Sequence, residues 1–199
     1  MISWLRNNKV AMWILTVIRI YLGFQWALDG FSKLTEGFTA IGFIRKAIVS
    51  PVADAHASAG FAKETVKNMA LIGQKVSLEN IHYASSDQSY AWYTSFLKAV
   101  TNNGTNTHFF DFVVAWGELL VGLGLIFGTL TLAAAFFGLI MNFSYVLAGT
   151  VSTNPTFILI EFFILMGGYN SARIGLDHWV TPFLRSKLPF LNNDIEISK

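Results

Sequence analysis

The chain has 199 residues, of which 53% are hydrophobic, 15% aromatic and only 13% charged. Soluble domains carry about 25% charged residues, so this composition points to an integral membrane protein. A formal charge of +2 without a basic stripe excludes a nucleic-acid footprint. The lack of cysteine excludes disulfides, thiolate metal sites, iron–sulfur clusters and thiol exchange by this chain.

Residues 10–34 read VAMWILTVIRIYLGFQWALDGFSKL, long enough for a bilayer-crossing helix, which needs about 20 mostly apolar residues. At helical spacing Arg19, Trp26, Asp29 and Lys33 lie close to one stripe, with Gln25 beside it. An arginine at mid-membrane costs roughly 3 kcal/mol on insertion scales, so Arg19 is expected to face the interior and a partner. Arg6 and Lys9 ahead of the apolar run look like the start of a signal peptide. The run is too long and ends without a small-residue cleavage site, so it is read as an uncleaved span. Trp4 and Trp13 bracket its beginning as interfacial anchors do.

Residues 35–108 form a polar insert far longer than an ordinary connection, which implies structure of its own. Three amphipathic helices are expected in it. Residues 38–49 set Phe38, Ile41, Phe43, Ile44 and Ile48 against Arg45 and Lys46. Residues 61–76 mix Phe61, Met69, Ile72 and Val76 with lysines and Glu64. Residues 89–100 place Tyr93, Phe96, Leu97 and Val100 at helical steps. The tract TNNGTNT (101–107) is a turn-rich return to the membrane.

Three further apolar spans are expected at 109–127, 131–149 and 156–171, joined by tight turns at 128–131 and 151–155. The fourth is short, which calls for another turn of helix or a thin membrane. Arg6 and Lys9 at one end and Arg173, Arg185 and Lys187 at the other place both termini in the cytoplasm. With four spans, the insert is then extracytoplasmic. Glycines in the second and third spans, Gly117, Gly122, Gly124, Gly128 and Gly138 among them, let helix backbones approach closely. The run GLGLIFG lacks the preceding strand and following acid of a nucleotide loop.

The expected fold is therefore all-α. It is an integral membrane four-helix bundle with an extracytoplasmic, mainly helical insert between helices 1 and 2. It divides into residues 1–34, the insert 35–108, helices 2–4 over 109–172, and a cytoplasmic tail 173–199. Each helix contributes a polar stripe. Counted from the membrane faces at about 1.5 Å per residue, Arg19, Glu118 and Asn142 fall near the midplane. A buried Arg19–Glu118 pair with Asn142 beside it is expected. Above it, Gln25, Trp26, Asp29, Lys33, Tyr145 and Glu161 are expected to line a wetter chamber.

A buried ion pair can serve only to fix helix register. The outer cluster suits a quinone headgroup, which needs an aromatic wall, hydrogen-bond donors and carboxylates that hand over protons. Glu161 and Asp29 would supply protons, Tyr145 and Lys33 would donate hydrogen bonds, and Trp26 would stack. Asp29–Lys33 also fits a plain i,i+4 pair. His56, His82, His108 and His178 all lie outside the spans, leaving an intramembrane haem without ligands. No zinc or di-iron spacing and no flavin or nicotinamide fingerprint occurs.

Three stretches resemble the DoxX/DoxD family of small four-span membrane proteins: RIYLGFQWALDGFSKL (19–34), GELLVGLGLIFGTLTLAAAF (117–136) and NSARIGLDHWV (170–180). Leu132 departs from the pattern, since family members often carry a basic residue just after the L-T turn. The long insert is similar to the DoxD type, whose relatives form a subunit of a thiosulfate:quinone oxidoreductase. The resemblance implies a quinone-linked oxidoreductase subunit that oxidises thiosulfate or another small reductant on the outer side. Glu118, Glu161 and Asp29 would manage protons, and Arg19 and Lys33 would attract an anionic substrate. A redox partner subunit, bound quinone and membrane lipid would be its associates, with no haem, flavin or metal. The alternative is a non-catalytic anchor that recruits a redox or detoxification enzyme. A small-solute carrier is disfavoured, because no inverted repeat of interrupted helices is present.

Overall fold

The computed structural model describes residues 1–49, 51–52 and 89–187. The helix expected at 61–76 lies outside the described residues. The protein is predominantly helical. In chain order the elements are α1 (Ile2–Asn7), α2 (Lys9–Glu36), α3 (Ile41–Val49), α4 (Ala91–Val100), α5 (His108–Phe127), α6 (Thr131–Leu147), α7 (Asn154–Gly167), α8 (Tyr169–Ala172) and α9 (Asp177–Lys187). A two-residue parallel bridge joins Pro51–Val52 to Ser89–Tyr90.

Among the described residues two helices, α2 and α5, are long and apolar enough to cross a membrane, while α6 and α7 are apolar but shorter. The fourth helix does not run on past Ser171. It stops at Gly167, and the chain reorients at Gly168, which takes a φ of +56° that disfavours other residues.

The chain forms two units. The first comprises Met1–Glu36, Ala115–Ile140 and Thr156–Lys199. Here α2 begins at a side-chain cap, because Asn8 Oδ1 accepts from Val10 N at 2.7 Å. Asn170 Nδ2 donates to Leu5 O (2.7 Å) and Asn8 O (3.1 Å), so α8 grips the α1–α2 junction. Arg6 Nε adds a bond to Met166 O at 3.1 Å. Leu5, Ala11 and Leu15 pack beneath these bonds with Ile18 and Met166.

The second unit comprises Gly37–Val114 and Met141–Pro155. Ala47, Tyr93 and Leu97 form its small core, against Ile48, Phe110, Leu147 and Ala148. Both helices expected on the described part of the insert are present, though α3 begins at Ile41 rather than Phe38. The stripe read for α4 is split. Tyr93 and Leu97 are buried, whereas Phe96 and Val100 are exposed. Asp111 caps α3, its Oδ1 accepting from Ala40 N at 2.6 Å. The turn after α4 places Asn102, Asn103 and Gly104 successively at positive φ, a conformation that Asn and Gly tolerate best.

Candidate functional site

The candidate polar groups of the first unit sit on α2, α5, α6 and α7, and the packing of α2 on α5 fixes their levels. Gly23 lies against Gly122 and Ile126, and Gly30 against the backbone of Leu119. A Cβ at either glycine would overlap α5, so these residues set an antiparallel register.

That register separates Arg19 from Glu118. Arg19 lies opposite the turn that follows α5, displaced from Glu118 by about a dozen residues, or roughly 18 Å of helix. The expected Arg19–Glu118 pair is not formed. The cause is overhang: α2 has 28 residues and α5 only 20. The first turns of α2 pack on α1 and α8 beyond the end of α5, so counting from the start of the apolar run sets Arg19 too deep.

Arg19 instead closes one end of the bundle. It is 1% exposed. Nη1 donates to Thr131 Oγ1 at 3.2 Å and Nη2 to Ile174 O at 2.7 Å. Asp177 completes the knot. Its Oδ1 accepts from Leu130 N and its Oδ2 from Thr131 N, both at 2.7 Å, which caps the N-terminus of α6 from a distant segment. The backbones meet as well, since Leu176 N donates to Phe127 O (3.0 Å) and Asp177 N to Gly128 O (2.7 Å). Gly128 at φ +63° and Gly175 make that approach sterically feasible. Sequence reasoning passed over Asp177 as a side chain with a job. Its signal was the L-D pair at the close of NSARIGLD, but only the fold brings that pair to a helix start 46 residues earlier.

Two turns further along α2, Trp26 Nε1 donates to Glu161 Oε1 at 3.2 Å. Glu161 is 0% exposed and Trp26 3%. The carboxylate rests in the niche left by Gly138, where a Cβ would come within 2.6 Å of Oε1. Phe157 covers the indole at a tilted 6.4 Å. Trp26 is thus enclosed by its own protein and is not a free wall for a ligand.

A further two turns on, Lys33 forms an ion pair with Glu118. Glu118 is buried, while about a quarter of the Lys33 side chain (24%) reaches the surface. The order along the bundle is therefore Arg19, then Trp26–Glu161, then Lys33–Glu118. The expected order of the two acids along α2 is reversed, with Glu161 level with Trp26 and so nearer Arg19 than Glu118 is.

Asp29, expected in the chamber, is exposed and makes no hydrogen bond or ion pair among the described residues, Lys33 included. Gln25 is half-buried. Asn142 and Tyr145 belong to the second unit, where Asn142 is fully buried and Tyr145 half-buried. Among the described residues no three His, Asp or Glu side chains converge as a metal site would require.

What this arrangement offers chemically is an ion pair of one partly exposed and one enclosed partner. The Lys33 ammonium is partly exposed over an enclosed carboxylate, and a second enclosed carboxylate, two turns nearer Arg19 along α2, is held by an indole. Comparison with family models, with curated proteins and with solved structures finds no match.

Proposed function

We propose that this protein is a four-span membrane subunit of the DoxX/DoxD type that exchanges protons and electrons with a quinone at the Lys33–Glu118 pair. Four apolar helices, α2, α5, α6 and α7, support the spanning reading, because their outward faces carry large apolar side chains such as Phe112, Leu120, Phe137 and Leu159. At 17 and 14 residues, α6 and α7 reach only about 26 and 21 Å. The bilayer thins around them, or flanking residues complete the crossing. Arg6, Arg173, Arg185 and Lys187 mark the cytoplasmic side, and residues 35–108 lie outside.

The observation that carries the reading is the buried Glu118 carboxylate paired with a Lys33 ammonium that is itself partly exposed. A quinone, which takes two electrons and two protons on reduction, would accept a hydrogen bond on a carbonyl from Lys33. Glu118 holds the ammonium in place while Lys33 passes a proton to the reduced carbonyl, and both that proton and the second are drawn from the outer aqueous side, which the partly exposed Lys33 reaches. Trp26 and Glu161 lie one layer deeper and do not touch the headgroup. They fix α2 against α7 so that Lys33 keeps its position. The electrons come from a small reductant, thiosulfate in the family's case, directly or through a partner subunit.

A specific observation favours a second reading, a membrane anchor for a redox or detoxification enzyme. Arg19, Asp177 and Trp26 are all engaged in bonds that hold helices together, as a passive scaffold would have them. Solvent extraction of the purified protein separates the two. A stoichiometric quinone in the ultraviolet spectrum of the extract supports the oxidoreductase, and a quinone-free extract with no response to added quinone supports the anchor.

A further inference from the structure

The second unit carries an apolar face that its own core does not use. Helix α4 buries Tyr93 and Leu97 against Ala47. On its other side Trp92, Phe96 and Val100 form an i, i+4, i+8 stripe, exposed by 63, 48 and 49%. Tyr90, just before the helix, and Phe43 on α3 are also exposed. Water is a poor neighbour for such a row, and a lone amphipathic helix would not need two apolar faces.

The height of α4 tells what covers it. Tyr93 and Leu97 pack on Phe110, in the first turn of α5, and on Leu147 and Ala148, at the end of α6. The same level is fixed twice more: Asp111 caps α3, and Arg45 Nε donates to Gly104 O at 3.2 Å. Thus α3 and α4 lie beside the ends of two apolar helices. That is the depth at which Trp and Tyr rings collect in membrane proteins. Exposed Phe109 and Phe112 continue the apolar face onto α5. Lys98 lies off the stripe and is exposed, where its stem can extend and keep the ammonium in water.

We propose that α4 is an interfacial helix lying in the headgroup–acyl boundary of the outer leaflet, with Trp92, Phe96 and Val100 turned into lipid. The occupant of this face is the bilayer itself. The seat holds the ends of α5 and α6 at a fixed depth. It rests on the membrane-spanning reading above, and the test separates the two.

Because the chain has no cysteine, single spin labels can be placed without background. Phe96→Cys and Val100→Cys report the stripe, Lys98→Cys the opposite side, and Leu120→Cys on α5 the membrane itself. All four side chains are exposed, so the labels leave the packing intact. The labelled proteins are placed in phosphatidylcholine–phosphatidylglycerol nanodiscs, and collision with oxygen, enriched in lipid, is compared with collision with a water-soluble nickel chelate. The expected result is a severalfold higher oxygen-to-nickel ratio at 96 and 100 than at 98, with 120 also in lipid. If 120 collides freely with nickel, the spanning reading itself fails. If 120 is in lipid while 96 and 100 meet nickel as readily as 98, the interfacial seat is overturned. Shielding of 96 and 100 from both reagents overturns it too, in favour of a covering protein surface.

Discussion

Lys33 on α2 pairs with Glu118 on α5 at a level about four helical turns beyond Arg19, and so the arginine of α2 does not answer the acid of α5. The pair joins the two longest helices among the described residues. Its carboxylate is enclosed, so its Coulomb attraction is little screened and its desolvation cost is correspondingly high.

Removing one member is therefore expected to hurt more than removing both. Lys33→Met alone should destabilise the folded protein by on the order of 3 kcal/mol, since it leaves the enclosed Glu118 carboxylate without its ammonium, and Glu118→Met should cost less, since Lys33 can turn to water. The double variant should recover most of that loss. Thermal unfolding in detergent, assembled into a double-mutant cycle, checks the coupling.

Asp177 is expected to act as a helix cap at a distance. Asp177→Ala removes the acceptor for two backbone N–H groups and a negative charge from the start of α6. A loss of about 1–2 kcal/mol follows from ordinary capping and helix-dipole energies. Thr181→Val, which removes only a 3.2 Å hydroxyl bond to the same carboxylate, should cost clearly less. Unfolding midpoints of the two variants side by side provide the check.

Two glycines in helices should respond oppositely to alanine. A methyl at Gly30 would overlap the backbone of Leu119, so Gly30→Ala must push α2 off α5 and disturb the Lys33–Glu118 level. At Gly42 a methyl meets nothing within 4 Å, and Gly42→Ala should gain roughly 0.5–1 kcal/mol of helix propensity. Yield of monodisperse protein and its melting temperature distinguish the two.

Tyr93 carries a pH signature. Burial pushes its phenol above the ordinary tyrosine value, and a hydrogen bond with Ser144 works in the opposite direction. The neutral form is the one the fold favours. Its contribution is fully present below the unfolded value, about 10, and is lost as pH rises from there through the folded value. Stability of the wild type should thus fall above about pH 10 more steeply than that of Tyr93→Phe. Difference absorbance near the phenolate band should place the Tyr93 midpoint above that of an unfolded control.

Much of the helical architecture was legible because apolar runs and turn residues are local signals. As helices, the stretches expected at 109–127 and 131–149 correspond closely to α5 and α6, and Gly128 and Gly149 follow their ends with positive φ. Levels between helices were not legible. They depend on which residues of α2 meet α5, and that follows from Gly23 and Gly30 fitting against Gly122 and Leu119 rather than from distance along the sequence. A helix that overhangs its neighbour defeats any count from the apolar boundary, which is why such a count pairs Arg19 with Glu118. Asp29 shows a related limit. It shares a helical stripe with Lys33, yet four residues advance a helix by slightly more than one turn, enough here for Lys33 to turn inward and Asp29 outward. Trp26 and Glu161 are brought together as neighbours, but as an enclosed contact rather than the wall of a chamber.

The most direct measurement of the central claim is the thermal stability of the purified protein in detergent, titrated with short-chain benzoquinone and naphthoquinone. Wild type, Asp29→Asn and the Lys33→Met/Glu118→Met double variant are compared. The account predicts a saturable rise in wild type, reaching about 2.7 kcal/mol at a hundredfold excess over Kd. The same rise is expected in Asp29→Asn, and none in the folded double variant. No response in wild type, or an equal response in the double variant, would contradict it.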